Sequence, residues 1–422
     1  MIHRLTLRPV LVSLLILCFA SSALADPVPK EKTSQPKLLT QSVYPHAMER
    51  IATVREMYDG ALPTDMAVQT FRNIDRLFPS RRIAAGKNVL PLPRDVQSFS
   101  NLSFLDRGRR FTLEQYLELN KIAGLLILKD GKIKAEQYRY GNNEKTRWMS
   151  MSIAKSVTSI LFGAALKEGK IRSLDDLVSR YVPALREGAY KEVRVRDVLT
   201  MSSGVQWNEA YSDPRSDRRR LLEAQIAQKP GAAMAIMTSL SRVAAPGARF
   251  NYNTGETQVA AEVLRHALGM PLSRYLSEKI WAKMGMEADA SWWLDAPDGV
   301  EIGGSGVSAT LRDYGRLGLL MLNGGLVGKQ VIFPAGWAYE SGTPKMLANG
   351  EMIGYGYLWW PLTSASGMRD AAYTGVGIHG QYLYINPRKN LVIVVWGAQS
   401  KPTGGAVLND QAFFTAVADA FP

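Results

Sequence analysis

Two strand-rich segments near opposite ends of the chain constrain its fold more than any other feature. Each segment predicts a β-hairpin, because two runs of apolar and β-branched residues flank a short polar turn. The four predicted strands are residues 122–128, 132–140, 381–385 and 391–396. A small hairpin cannot stay folded alone, so both need partners in one sheet. We therefore expect an α+β fold, with an antiparallel sheet built from distant segments and flanked by helices.

The sequence between the hairpins is mostly helical in pattern. Predicted helices cover residues 111–120, 153–166, 195–201, 256–268, 272–284 and 311–322. Most of them follow the first hairpin, so we expect an inserted, mostly helical lobe. Its boundaries are about 169–302, and the α/β lobe then comprises about 46–168 and 303–422.

The N-terminal 25 residues have the pattern of a secretory signal peptide. Arg4 and Arg8 precede the apolar run Val10–Ala20, and Ala23–Ala25 forms a cleavage site before Asp26. The run has about 11 residues, fewer than the roughly 17–25 that span a bilayer, so an uncleaved anchor is the weaker alternative. We expect a periplasmic or secreted protein without stable membrane insertion. Residues 26–45 would be a flexible leader before a domain at 46–422.

Cleavage would change the composition in two ways. The single cysteine, Cys18, would be removed, which excludes disulfides and CxxC-type metal sites from the mature chain. The formal net charge would fall from +13 to +11, because Arg4 and Arg8 are the only charged residues lost. The one tight basic run, Arg218–Arg220, has no interleaved aromatic residues, so we expect no nucleic-acid partner. The basic charge has no assigned purpose.

An S-x-x-K pattern lies at the start of a predicted helix. Ser152 and Lys155 are three residues apart, so their side chains share one helical face. A lysine with a lowered pKa can take the proton of a serine hydroxyl and make it a nucleophile. The pattern alone is weak, since Ser34 and Lys37 match it in the Pro-rich leader. A serine that only caps the helix is the alternative.

Three further motifs follow in order: residues 197–204, 246–255 and 377–381. With the S-x-x-K, they resemble the serine β-lactamase and penicillin-binding superfamily. Within it the chain is most similar to class C-related serine hydrolases, above all 6-aminohexanoate-dimer hydrolases, from about residue 50 to the end. The resemblance implies a β-lactamase-like α+β fold and a serine hydrolase that cleaves an amide or ester of a small molecule. It implies no cofactor.

The resemblance assigns the reacting groups residue by residue. Ser152 matches the serine that is acylated, and Lys155 matches its lysine partner. Tyr252 matches the tyrosine of the Tyr-x-Asn motif, a second proton-transfer group. The backbone N–H groups of Ser152 and Gln381 match the oxyanion hole.

Two motifs depart from the β-lactamase pattern. Thr254 occupies the asparagine position of Tyr-x-Asn, and residues 378–380 replace Lys-Thr-Gly. By resemblance His379 and Gly380 border the substrate, as Thr254 does. The lost lysine disfavours β-lactams, whose carboxylate a cation would bind. Tyr211 and Asp217 match a loop that contacts the substrate in dimer hydrolases; turn residues around Pro214 are the alternative.

Other classes of function find less support. No G-x-S-x-G elbow occurs in the sequence, which disfavours a Ser-His-Asp hydrolase of the α/β type. A metal site is not expected, since there is no HExxH and His46, His266 and His379 are widely separated. A β-lactamase or a D-amino-acid peptidase uses the same serine chemistry and stays open. A non-catalytic binding or sensor protein on this scaffold is the alternative from another class.

Overall fold

The computed structural model describes residues 44–421. The predicted signal peptide and almost all of the predicted leader lie outside them. Residues from Pro45 onward form one compact unit. Its helices are α1 Val54–Asp59, α2 Thr64–Phe71, α3 Leu113–Leu119, α4 Ile153–Lys167, α5 Val195–Leu199, α6 Asp217–Ile226, α7 Ala232–Ser239, α8 Thr254–Leu268, α9 Leu272–Leu276, α10 Leu311–Leu322, α11 Trp337–Gly342, α12 Ala365–Asp370 and α13 Asp410–Asp419.

The strands fall into one six-stranded sheet, one four-stranded sheet and three short pairs. They are β1 Ser80–Ile83, β2 Ser103–Asp106, β3 Arg109–Thr112, β4 Ile122–Lys129, β5 Lys132–Tyr138, β6 Arg147–Met149, β7 Ala290–Trp293, β8 Val307–Thr310, β9 Leu326–Val327, β10 Gln330–Val331, β11 Lys345–Met346, β12 Met352–Ile353, β13 Trp360–Pro361, β14 Tyr373–Gly377, β15 Gln381–Asn386 and β16 Leu391–Gly397.

The six-stranded sheet joins the two predicted hairpins. Its order is β13-β14-β15-β16-β4-β5, and every neighbouring pair is antiparallel. Strand β16, the last of this sheet in sequence, pairs with β4, the first, and Leu391 lies opposite Lys129. The predicted α+β fold is therefore confirmed, and so is the antiparallel sheet from distant segments.

Alternate residues of this sheet belong to two separate apolar clusters, as the period of two in a β-strand requires. Leu126 and Leu128 of β4 face the larger cluster, which includes α4 and α10. Leu125 and Ile127 face a smaller cluster with α3 and α13. Both faces are covered by helices, so nearly every residue of β4 is buried.

The four-stranded sheet was not predicted. Its order is β1-β7-β8-β6, and its strands have only three or four residues each. All four residues of β7 and of β8 are buried, so the polar–apolar alternation of a half-exposed strand is missing. One predicted helix is also interrupted: α9 ends at Leu276 and continues as a π-helical turn, Ser277–Trp281.

Helix α4 packs closely against β14 of the larger sheet. A Cβ added to Gly375 would lie 2.9 Å from the Ser156 hydroxyl oxygen, so a larger residue here would force the Ser156 side chain to move. That approach holds the first turn of α4, which follows Ser152, beside the end of β14.

Candidate active site

Ser152 lies in a tight connection between β6 and α4. The preceding residue, Met151, is buried and has a φ of 41°, an uncommon conformation for a residue with a side chain. Ser150 anchors the turn, because its N–H donates to the Val307 carbonyl at 2.7 Å. Ser152 occupies the N-cap position of α4, yet its side chain makes no capping hydrogen bond. The hydroxyl therefore does not serve as a helix cap and is available for another partner.

That partner is Lys155. Its Nζ lies 2.9 Å from Ser152 Oγ and 3.1 Å from the carbonyl oxygen of Gly304. The side chain is about 1% exposed, and no carboxylate of the described residues forms an ion pair with it. Burial lowers the pKa of Lys155 to about 7, because a desolvated ammonium is unfavourable. The amine is thus poised to accept the serine proton near neutral pH.

Two glycines let the chain pass over Lys155. A Cβ on Gly304 would lie 3.2 Å from Lys155 Nζ, and one on Gly303 would lie 2.4 Å from the Thr257 carbonyl oxygen. Larger residues would push the Gly304 carbonyl away from the amine. This pair of glycines is a sequence signal for the site that motif reasoning did not use.

Tyr252 completes the reacting groups. Its ring centroid lies 5.4 Å from Lys155 Nζ, and it lines the same pocket as Ser152. Burial raises the pKa of Tyr252 well above its usual value, so the phenol carries its proton at neutral pH. Trp360 and Tyr355 hold the ring, with centroids 5.3 and 6.0 Å away. The structure thus brings Ser152, Lys155 and Tyr252 together.

A pocket of about 420 Å³ opens over Ser152. Of the predicted residues, Tyr211, Tyr252 and Gly380 line it, together with Trp360. None of its lining residues in the described chain carries a formal charge. The pocket therefore suits an uncharged part of a substrate.

His379 lies in the turn between β14 and β15, but its side chain points away from this pocket. Its φ is 64°, and the turn buries the imidazole completely against Phe71, with ring centroids 5.0 Å apart. Nδ1 donates to the carbonyl of Gln399 at 2.8 Å, which fixes the ring. Burial lowers the pKa of His379 to about 4. Of the two residues predicted to border the substrate, Gly380 lines the pocket, whereas the imidazole of His379 packs in the core.

Thr254 and Asp217 also lie outside the pocket lining, because both serve local structure. The Thr254 hydroxyl donates to the Glu209 carboxylate, as its backbone N–H does at 2.9 Å. Asp217 begins α6 and accepts a hydrogen bond from the backbone N–H of Asn208 at 2.9 Å. For Asp217 this placement agrees with the turn alternative.

Glu209 is a residue near the site that sequence reasoning missed. Besides both Thr254 donors, it accepts a hydrogen bond from the indole N–H of Trp207. Its negative charge raises the pKa of Lys155, against the larger effect of burial. The only signal in the sequence was its position two residues before Tyr211.

Arg218 contributes a positive charge, opposite in sign to that of Glu209. It is about 3% exposed, its Nη2 donates to the Tyr58 hydroxyl, and its guanidinium carbon lies 4.7 Å from the Tyr58 ring centroid. Nε and Nη1 have no hydrogen-bond partner among residues 44–421. Its charge lowers the pKa of Lys155, although less than burial does. Arg218 thus belongs to the surroundings of the site, which its place in a basic run did not suggest.

The predicted oxyanion hole has two backbone donors. Within the described chain, the N–H of Ser152 donates to no backbone carbonyl. Gln381 is the first residue of β15 and directly follows Gly380, which lines the pocket. Its side chain forms hydrogen bonds within the protein, since Nε2 donates to the Gly397 carbonyl at 2.7 Å. The oxyanion-binding role of the two N–H groups stays a prediction.

Residues 44–421 contain no group of three or more His, Cys, Asp or Glu side chains placed to hold a metal ion. Over the same residues, no helix combines the length and apolar character that crossing a bilayer requires.

Comparisons with known proteins agree with this geometry. A family model described as Beta-lactamase matches residues 112–416. The 6-aminohexanoate-dimer hydrolase of Paenarthrobacter ureafaciens is 31% identical over 296 residues, which cover 67% of this chain and 74% of that protein. A beta-lactamase of Pseudomonas fluorescens is 23% identical over 185 residues, or 42% of this chain and 48% of that protein.

Solved structures show the same fold. A Bacillus anthracis structure, provisionally assigned as a 6-aminohexanoate-dimer hydrolase, matches with a TM-score of 0.74 at 22% identity. It covers 88% of this chain and 98% of its own. A family VIII carboxylesterase matches with a TM-score of 0.55 at 16% identity, over 73% of this chain and 94% of its own.

Proposed function

Because the chain belongs to the beta-lactamase family of serine hydrolases, we propose that it cleaves an amide or ester through an acyl-enzyme on Ser152. One observation carries the proposal: a buried lysine, with its pKa lowered to about 7, lies 2.9 Å from an uncapped serine hydroxyl. That arrangement supplies a nucleophile and its base without a metal ion.

Acylation begins when Lys155 takes the proton of Ser152. The serine oxygen then attacks the substrate carbonyl carbon, and the N–H groups of Ser152 and Gln381 stabilise the negative oxygen that forms. The carbon–nitrogen or carbon–oxygen bond breaks as the leaving group gains a proton. Tyr252 suits this donation, because its phenol keeps its proton at neutral pH and lines the same pocket as Ser152. The proton held by Lys155 then restores the phenol and leaves a neutral amine. Water attacks the acyl-enzyme ester and gives a proton to this amine, and Lys155 returns the proton to Ser152 as the acid leaves.

The pocket favours uncharged amides or esters over β-lactams and D-amino-acid peptides that end in a carboxylate. Among residues 44–421, no charged residue lines the pocket, and the segment that replaces Lys-Thr-Gly buries its histidine. A carboxylate would therefore lack a cation in this pocket. The relative that is 31% identical is named for a 6-aminohexanoate dimer, an amide with a charged group at each end. We therefore include 6-aminohexanoate oligomers among the candidates, with their charged ends outside this pocket.

The proposal includes export of the protein. The support is the pattern of residues 1–25, in which two arginines precede an apolar run and an Ala-x-Ala site. N-terminal sequencing of protein recovered outside the cytoplasm should begin at Asp26. Retention of Met1 in that fraction would contradict cleavage.

The decisive experiment compares the mature protein with Ser152→Ala. Hydrolysis of p-nitrophenyl acetate and labelling by a fluorophosphonate probe should both disappear in the variant, while circular dichroism stays unchanged. A panel of short-chain esters, 6-aminohexanoate oligomers, D-amino-acid peptides and β-lactams then ranks the substrate classes. Turnover above background in Ser152→Ala would refute the mechanism. A wild-type protein that no probe labels would support the binding or sensor alternative.

A further inference from the structure

Three exposed methionines border one cavity on the surface of the protein. Methionine is among the residues most often buried, and single exposed apolar side chains need no explanation. Among the described residues four methionines are exposed: Met48 at 91%, Met346 at 67%, Met352 at 57% and Met368 at 61%. The last three line a single cavity of about 570 Å³, which we call the methionine cavity. Their thioether groups therefore share one space that solvent reaches.

Two of these methionines are neighbours across a pair of strands. Strands β11 and β12 are antiparallel, and Met346 lies directly opposite Met352. Side chains that lie directly opposite in such a pair point to the same face, with Cβ atoms about 4.5–5.5 Å apart. The unbranched methionine side chain has three rotatable bonds, so both sulfur atoms can contact one ion without movement of the backbone.

The third methionine comes from a different element. Met368 lies on α12 and lines the same cavity. The other lining residues from this helix and the segment after it are Gly367, Ala371 and Ala372, which are small. Met368 is therefore the only long side chain that this part of the chain contributes to the cavity.

The charged groups of the methionine cavity are paired with each other. Lys345 Nζ lies 2.8 Å from Glu340 Oε2, and both residues line the cavity. Among residues 44–421, no histidine, cysteine or aspartate lines it. A hard cation such as Mg²⁺ or Ca²⁺ prefers several oxygen ligands and would find one carboxylate, already bound to an ammonium. The three neutral sulfur atoms are the ligands that remain.

Thioether sulfur is a soft ligand and selects soft metal ions such as Cu(I). Three uncharged ligands do not neutralise the ion, and the cost of removing an ion from water grows with its charge. A monovalent soft ion therefore fits this set better than a divalent one. We propose that Met346, Met352 and Met368 together bind one soft monovalent metal ion, of which Cu(I) is the biological example. The methionine cavity shares no lining residue with the pocket over Ser152, so this site is independent of the proposed hydrolase function.

The first test measures binding of Ag(I), a soft monovalent ion that is stable in air, by calorimetry in a chloride-free buffer. The mature chain from Asp26 contains no cysteine, so no thiolate competes for the ion. One Ag(I) should bind per chain, and bicinchoninate competition should give the same stoichiometry for Cu(I). Thioethers carry no proton to release, so the affinity should change less than about twofold between pH 8 and 5.5. Failure to bind one equivalent overturns the proposal, as does a tenfold loss at pH 5.5, which indicates imidazole ligands.

Leucine substitutions remove each sulfur atom and keep a similar apolar volume. Met346→Leu, Met352→Leu and Met368→Leu should each weaken Ag(I) binding at least tenfold, because even partners outside the ligand set contribute about 10–100-fold to metal affinity. Met48→Leu, at the exposed methionine outside the cavity, is the matched control and should bind as the wild type does. Circular dichroism and p-nitrophenyl acetate hydrolysis should stay unchanged in all four variants. Wild-type affinity in any of the three cavity variants overturns the three-methionine site.

A second measurement locates the ion in the wild-type protein, so it also decides the case in which a leucine variant unfolds. The methyl carbon of methionine is bonded to sulfur, and its NMR signal therefore reports a metal ion at that atom. In protein labelled with [methyl-¹³C]methionine, one equivalent of Ag(I) should shift the signals of Met346, Met352 and Met368 and leave that of Met48 in place. Each signal is identified by its absence from the corresponding leucine variant. A shift at Met48, or shifts confined to methionines outside the cavity, overturns the proposal.

Discussion

The buried amine of Lys155 should set the acid limb of the pH profile. An ordinary lysine has a pKa of about 10.4, so only about one molecule in 2,500 would hold a free amine at pH 7. Burial lowers the pKa of Lys155 to about 7, a change equivalent to about 5 kcal/mol, and half of the molecules then hold the base at that pH.

The expected profile follows from the neutral fraction of the amine. Because kcat/KM reports the free enzyme, it should rise with pH and level off above about 8. Relative to that plateau, it should fall to about one tenth at pH 6 and about one hundredth at pH 5. The assay is p-nitrophenyl acetate hydrolysis between pH 5 and 9, with circular dichroism at each pH as a check on folding.

A substitution at Glu209 tests the electrostatic origin of this limb. Glu209→Gln keeps an oxygen that accepts hydrogen bonds from Thr254 but removes the charge that raises the pKa of Lys155. The limb should therefore move to lower pH. Lys155→Met should lose the limb together with most of the activity. A flat wild-type profile from pH 5 to 9, or a shift to higher pH in Glu209→Gln, would refute the reasoning.

Two further predictions concern stability and site geometry. Because burial lowers the pKa of His379 to about 4, the unfolded chain binds more protons below pH 6.5, and stability is lost as pH falls from about 6.5 to 4. In His379→Asn, the asparagine tolerates the φ of 64°. Between pH 7 and pH 5, the free energy of unfolding measured in urea should fall by about 2 kcal/mol less in this variant than in the wild type. Equal losses in the two proteins would contradict this. Gly303→Ala should cost roughly 1–3 kcal/mol and lower kcat, because its Cβ would meet the Thr257 carbonyl at 2.4 Å and displace the Gly304 carbonyl. Gly354→Ala, whose Cβ would make only an ordinary contact, is the control for thermal unfolding and turnover; similar effects in both would contradict the geometric argument.

Local patterns predicted what depends on residues close in sequence. The S-x-x-K spacing placed Lys155 beside Ser152 because both lie in one helical turn, and the structure gives 2.9 Å. Helix α10 has the predicted bounds, Leu311–Leu322, since its apolar period is regular. Both hairpins were found for the same reason.

Features that depend on tertiary packing escaped prediction. The orientation of His379 follows from a turn with two successive left-handed residues, which no motif spacing specifies. The role of Glu209 depends on α8 bringing Thr254 against a loop 45 residues earlier in the sequence. Strands β7 and β8 of the second sheet are buried at every residue, so they show no polar–apolar alternation.

The pairing of β4 with β16 has a consequence for when the chain can fold. Asn390 and Asp130, at one end of this pair, are 260 residues apart in sequence. Forming such a contact requires closure of a very long loop, and folds dominated by non-local pairings acquire structure slowly. The central sheet therefore cannot close on a nascent chain until its last strand, β16, has been synthesised.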